Sequence, residues 1–273
     1  MNDQEIIRGY YDENTQKEWE RLAPGGRNRP EFALSLRMLE RYIKPGDRVL
    51  DLGGGPGRYS LHLAQMGVEV TLGDLSGGNI AFAQAEAQRR GLRLRALTLN
   101  ALDLSPLAGE QFDHVLCMGP LYHLLEEGQR TLCVHNCLSV LKPGGLLFAC
   151  FINGFAGVNF MLKDAPEIVL TEIPAEVEYR EAVLEGRGFS GDGFTRACFM
   201  WSWEVEALMA GFPLETLHLM GCEGILSPNE NQLIQQPEEV YQALLDFSWQ
   251  LKERPELLCY SEHLMYVGRK VLS

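Results

Sequence analysis

Between residues 48 and 64 the chain reads RVLDLGGGPGRYSLHLA, an apolar run that breaks into Gly53, Gly54, Gly55 and Gly57 around a proline. Glycines let a backbone turn tightly and let a ligand come close to bare N–H groups, and the start of the next helix offers more of them. Such a turn at the end of a strand is a ligand floor. Asp51 stands just ahead of the first glycine, and Asp74 ends a second strand-like run, VEVTLGD, 21 residues after Gly53. At that place a carboxylate can accept two hydrogen bonds from vicinal hydroxyls; the plainer reading is a cap on the following loop. Asp51 either holds the glycine turn or reaches a cationic ligand group.

The glycine spacing separates two ligand classes. A dinucleotide fingerprint begun at Gly53 needs a third glycine where Arg58 stands, and that side chain obstructs the close packing of helix, strand and pyrophosphate. The spacing present is Gly53-x-Gly55-x-Gly57. This D-x-G-x-G-x-G after a strand resembles motif I of the class I S-adenosylmethionine-dependent methyltransferases, and the similarity runs from about Asp47 to Ile152. The resemblance implies S-adenosyl-L-methionine as cofactor. It would be held by Asp51, Gly53, Gly55 and Gly57, by Asp74 at the ribose hydroxyls with Leu75 beside it, and by Asn100 and Ala101 next to the adenine. FDHVLCMG followed by PLYHL matches motif IV and adds Met118 and Gly119, and LKPGGLL matches the turn into the fifth strand. The segment GPLYHL, with YSEH at residues 260–263, further resembles a subgroup of largely uncharacterised bacterial members.

Methyl transfer from a sulfonium is an in-line displacement, so an enzyme has mainly to align the acceptor, exclude water and remove a proton where the acceptor carries one. The candidates lie past the fourth strand, in MGPLYHLLEEG. His123 is a general base or acceptor-orienting group, or else a loop histidine bonded to backbone; Tyr122 lines the pocket or packs beneath a helix. Arg58 faces a cofactor carboxylate or, in the preferred reading, solvent. His263 points toward the active side or, preferably, is a satisfied structural histidine. In the N-terminal arm, Tyr10, Tyr11 and Trp19 suggest a lid with Tyr11 nearest the cofactor, against an ordinary packed helix.

These residues need a frame. Helical periodicity from Glu31 to Ile43 stops at KPGD, and short β-rich runs then alternate with helical segments up to Ile152. That alternation implies right-handed crossovers and an α/β, doubly wound, mostly parallel sheet. The resemblance adds that this is a seven-stranded Rossmann-like methyltransferase sheet with its last strand antiparallel. The expected organisation is an N-terminal helical arm or lid over residues 1–30 and a methyltransferase domain over 31–273. Residues 153–200 form an insertion after strand 5, without a clear sheet repeat, that roofs the substrate site. Phe155, Phe160, Tyr179, Arg180, Phe189, Arg196 and Trp201 there suggest a mid-sized, partly apolar acceptor, possible as an anion.

Composition bounds the partners. The 273 residues carry a formal charge of -13 with no basic cluster, which speaks against nucleic acid. No apolar run approaches a membrane span, and the polar N-terminus does not read as a signal peptide, so the expected location is cytoplasmic. Seven scattered cysteines in apolar runs read as reduced buried thiols, and no spacing completes a metal pattern, so no metal is expected. The function expected is methyl transfer to a small-molecule acceptor. The rivals are a cofactor-binding regulator without turnover, whose acceptor pocket would be filled by 153–200, and an NAD-linked oxidoreductase. Oligomeric state is not encoded legibly.

Overall fold

The computed structural model describes residues 2–23 and 29–271; the Gly/Pro-rich break expected between arm and domain lies mostly outside the described residues. The helices are α1 (Asp3–Arg21), α2 (Arg29–Tyr42), α3 (Arg58–Gln65), α4 (Gly77–Arg89), α5 (Glu127–Val140), α6 (Ala156–Asp164), α7 (Pro174–Glu185), α8 (Ser202–Met209), α9 (Glu230–Leu233) and α10 (Glu238–Leu251). The strands are β1 (Arg48–Leu52), β2 (Glu69–Asp74), β3 (Arg95–Thr98), β4 (Phe112–Cys117), β5 (Leu141–Asn153), β6 (Phe189–Asp192), β7 (Arg196–Met200), β8 (Leu214–Gly221) and β9 (His263–Lys270).

The alternating half folds as its periodicity requires. β1 is flanked by β2 and β4, β3 lies outside β2, and β5 outside β4, all parallel. β9 runs antiparallel along the free edge of β5, and β8 pairs antiparallel to β9. Because these strands are covered on both sides, they read as near-continuous apolar runs. One face packs Leu50, Leu52, Val115 and Phe151 against Cys133 and Val134 of α5 and Val205 and Met209 of α8. The other packs Val49, Leu116 and Phe148 against Leu34 and Met38 of α2, Tyr59 and Leu63 of α3 and Tyr241 and Leu245 of α10.

The sheet has nine strands, correcting the expected seven. β5 outruns β4, whose pairing ends at Ala149, and Ile152 and Asn153 then pair with Phe199 and Met200 of β7. β6 and β7 form an antiparallel hairpin inside residues 153–200, so the insertion does add to the sheet. Its Gly-rich turn and short strands hide the period. Arg29 and Pro30, assigned to the arm, belong to α2. The first crossover runs from β1 through α3 to β2, while β4 lies on the other side of β1, so the chain reverses direction between β1 and β4. Ligands bind outside the carboxyl ends of the strands at such a switch point.

Candidate functional site

The loops after β1 and β4 press backbone to backbone at the switch point. A Cβ on Gly53 (φ +70°) would stand 2.5 Å from the Pro120 ring, and one on Gly119 2.5 Å from the Gly53 carbonyl oxygen. Any side chain there would force the loops apart. At Gly55 (φ +57°) the nearest atom to such a Cβ is Asn79 Nδ2, 3.9 Å away, so this glycine opens onto the cavity. Gly57 does not line it. Its φ of +85° and the Ala83 methyl 3.1 Å from a built Cβ make it the turn into α3 and the seat of α3 on α4.

A cavity of about 150 Å³ lies against this floor, lined by Asp51, Gly53, Gly55, Asp74, Leu75, Asn100, Ala101, Met118, Gly119 and Tyr11. All the sequence-derived cofactor residues except Gly57 thus share one surface. Asp51 is buried and accepts a 2.6 Å hydrogen bond from the Ser60 hydroxyl; burial pushes its carboxyl up to about 6, against that hydrogen bond. Asp74 accepts from the backbone N–H of Gly55 (2.8 Å) and Ser76 (2.9 Å) and from Asn79 Nδ2 (3.2 Å). Burial raises its carboxyl while these bonds oppose the shift. Asp74 therefore braces the glycine loop and the loop before α4 together, and it keeps acceptor capacity toward the cavity. Asn100 accepts from Leu102 N–H (3.0 Å) and donates to Gln4 Oε1 (3.2 Å).

α1 lies over this cavity. Gln4, Ile7, Tyr11, Glu18 and Arg21 line it, at steps of three, four and seven that put them on one helix face. Ile7 is the least exposed apolar side chain of the helix; aromatic contacts of Trp19 with Phe82 and of Tyr10 with Phe194, together with polar contacts, hold the helix in place. Asp12 accepts from the Ser76 hydroxyl (2.5 Å) and Gly78 N–H (3.1 Å), Arg196 donates to Asp3 (2.9 Å), and Arg21 donates to Glu31 (2.6 Å) and Glu18 (3.0 Å). Arg58 departs from the solvent reading: it lines the cavity, stacks 3.5 Å above the Trp19 ring and donates to the Trp19 carbonyl. The helix is kinked at Asn14.

The acceptor candidates come together on the wall of this same cavity. His123 Nδ1 lies 2.8 Å from the Arg196 carbonyl oxygen, which fixes the proton on Nδ1, so Nε2 accepts from the Tyr11 hydroxyl at 2.6 Å. Burial lowers His123 to about 4 and raises Tyr11, in keeping with a neutral imidazole facing a protonated phenol. Tyr122 sits edge-on to His123, its hydroxyl pKa raised by burial. It lines the cavity and also packs against two buried hydrophobic clusters.

A second cavity, about 740 Å³, meets the first at Tyr11, Glu18, Arg21, Tyr122 and His263. Its roof is the insertion, with Phe160, Tyr179, Phe189, Phe194 and Phe199. Residues 153–200 enclose this space without filling it. Phe155 and Trp201 instead contact one another away from it. Arg196 is paired with Asp3 and Asp192 and does not line this space, whereas Arg180 lines it while donating to the carbonyls of Ile168 (3.0 Å) and Thr171 (2.7 Å). Of the two arginines, only Arg180 is placed to face an acceptor.

Sequence reasoning passed over Gln4, Ile7, Glu18, Arg21 and Glu31. The heptad-like spacing in α1 was a usable signal for the first four. Glu31 shares the buried stripe of α2 with Leu34, Ser35 and Met38, where a lone carboxylate stands out. Six of the seven cysteines are buried and all are free thiols. Cys117, Cys133 and Cys137, unremarkable by spacing, have their sulfurs within 4.8 Å of one another in the core.

The strand order, the glycine turn at the switch point and the acid ending β2 make a doubly wound, Rossmann-like α/β fold with one ligand site at its switch point. Residues 49–145 match a family model described as a methyltransferase domain. The ubiquinone biosynthesis O-methyltransferase of Agrobacterium fabrum is 36% identical over 139 residues, covering 51% of this chain and 54% of that protein. That of Xanthomonas axonopodis is 33% identical over 132 residues, covering 47% and 54%. The chain spans about half the length of the curated relatives it matches. Among solved structures, the Burkholderia thailandensis 1,6-didemethyltoxoflavin-N1-methyltransferase with bound S-adenosylhomocysteine superposes with a TM-score of 0.61 at 15% identity, over 98% of this chain and 88% of that one. Magnesium protoporphyrin IX methyltransferase from Synechocystis, also with bound S-adenosylhomocysteine, gives 0.58 at 15% identity, over 98% and 100%. At these identities the likeness is one of fold. Among the described residues no helix is long and apolar enough to cross a membrane.

Proposed function

We propose that this chain is an S-adenosylmethionine-dependent methyltransferase acting on a small molecule in the cytoplasm. The observation that carries the reading is the pair of joined cavities, one lined by the glycine loop and the acids of β1 and β2, the other roofed by the insertion. The first fits the cofactor. Gly55 leaves open space where a side chain would intrude, Asp74 offers carboxylate oxygens, and Leu75, Leu99 and Ala101 supply an apolar wall for a flat ring. When bound, S-adenosylmethionine would supply an electrophilic methyl on a sulfonium, open to attack by an acceptor lone pair with the S–C electron pair leaving on sulfur.

The residues of this chain then have positioning roles. The stiff Gly119-Pro120 turn fixes the floor of the first cavity, and Tyr122, on the wall of both cavities, bounds the acceptor's approach with His123 beside it. α1 covers the joint space and excludes water through the Tyr11–His123, Asp12–Ser76 and Arg21–Glu31 contacts. His123 is held neutral with its Nε2 engaged by Tyr11, which supports an orienting role in the closed arrangement over that of a free base. The roofed second cavity favours a small acceptor over protein or nucleic acid, and its open volume speaks against a regulator that only binds cofactor. Incubation with methyl-labelled S-adenosylmethionine and a size-fractionated cell extract should put label into the low-molecular-mass fraction. Label confined to macromolecules, or no transfer, would count against the reading.

A further inference from the structure

His263 opens β9 and lines both cavities at their junction, 6.2 Å ring to ring from Tyr122. Glu223, just after β8, is buried and grips it twice: one carboxylate oxygen accepts from the His263 backbone N–H at 3.1 Å, the other from Nδ1 at 2.7 Å. This double grip fixes the ring orientation and leaves Nε2, which has no partner among the described residues, as the atom turned to the cavities. A histidine needed only for packing requires neither a buried carboxylate nor a position on two cavity walls. The two histidines of the site therefore differ: Nε2 of His123 is covered by Tyr11 of α1, whereas Nε2 of His263 is open.

The groups facing His263 determine its charge. Glu31 of α2 lies 3.9 Å from Nδ1, and Glu223 is in contact. Glu18 and Arg21 of α1 pair with each other and, through Arg21, with Glu31, while Glu262 is engaged by Lys163 at 2.5 Å. Burial works against the imidazolium, but Glu31 and Glu223 outweigh it and push the ring up to about 10. Two carboxylates against one ring nitrogen, with Arg21 opposing them, favour the imidazolium, the form in which Nε2 is a donor.

We propose that His263, clamped by Glu223, binds the nucleophilic oxygen of an acceptor that enters as its oxyanion, so that the acceptor is an acidic hydroxyl compound such as a phenol. The inference rests on the methyltransferase reading and names its substrate class. A donating N–H at Nε2 matches an oxyanion and repels the cationic product of amine methylation. The aromatic roof of the second cavity suits a ring-bearing body. The acceptor's proton stays in bulk water on entry, and the imidazolium keeps its own.

The test uses the full chain saturated with S-adenosylhomocysteine, with 4-nitrophenol as probe, since its phenolate is coloured. The probe should bind as phenolate with its apparent pKa lowered by about one unit, a tenfold preference. 4-Nitroaniline, of the same shape, should bind at least about tenfold more weakly. His263→Gln should abolish both preferences. Glu223→Gln, which spares the imidazole but loosens its grip, should reduce them. Binding of the neutral phenol, equal affinity for the aniline, no binding of either probe, or an unchanged His263→Gln protein would each overturn the proposal. Calorimetry of S-adenosylhomocysteine checks that each variant is folded, and its failure with the unaltered chain would instead strike the cofactor reading.

Discussion

Asp51 shows how a residue can serve a loop at a cost to the fold. Its carboxyl is buried beneath the glycine turn, bonded to Ser60, and pushed up to about 6 from a usual value of 3.8. The folded chain therefore binds more protons than the unfolded one between those values. Stability is greatest below that window and falls as pH rises through it, by about 3 kcal/mol at most. Asp51→Asn keeps an oxygen for the Ser60 hydroxyl and should flatten this part of the stability curve in urea unfolding at stepped pH; an unchanged slope would contradict the assignment. Tyr11 makes a second test. Tyr11→Phe leaves His123 Nε2 without its donor at a cost of about 1 kcal/mol. If α1 closes over the cofactor, calorimetry should show about fivefold weaker S-adenosylhomocysteine binding; an unaltered affinity would leave Tyr11 as packing. Part of this residue layer was legible: Gly53, Gly55, Asp74, Asn100 and Ala101 line one cavity, while Gly57 makes the turn into α3 instead. The clamp on His263 was not, because Glu223 lies 40 residues away and meets it only through the β8–β9 register.

α1 is a helix attached by polar contacts and the aromatic contacts of Trp19 and Tyr10, with one buried apolar side chain and a kink at Asn14. Hydrogen bonds and ion pairs that water can replace give such an element a lower opening free energy than α2, whose Leu34, Met38 and Leu39 are fully buried. Hydrogen exchange should be faster in α1 than in α2 in the free protein, and S-adenosylhomocysteine should slow it selectively. Protection of α1 equal to α2 without ligand would favour a permanently packed helix. Deleting residues 1–25 should weaken binding sharply while leaving the sheet intact by circular dichroism. At this scale strands and helices up to Ile152 were readable because apolar runs and helical periods alternate cleanly. The β6–β7 hairpin was not: its strands span four and five residues and join across a glycine-containing turn, too short for a period of two to register. Its pairing depends on β5 outrunning β4, which no local pattern records.

At the scale of the whole molecule, the doubly wound sheet sets one switch point, and two cavities meet there under one helix and one insertion. The sequence indicated the donor side because glycines and acids at strand ends have few alternative uses. It was nearly silent on the acceptor side, where aromatic residues serve cores and cavities alike and where Arg180 lines the cavity but Arg196 is paired with carboxylates outside it. The central claim concerns the cofactor, and calorimetry of the full chain with S-adenosylmethionine and with NADH tests it most directly. The account predicts micromolar binding of S-adenosylmethionine, no detectable binding of NADH, and a loss of at least about tenfold for S-adenosylmethionine in Asp74→Asn. Binding of NADH, or an Asp74→Asn protein with unchanged affinity, would contradict it.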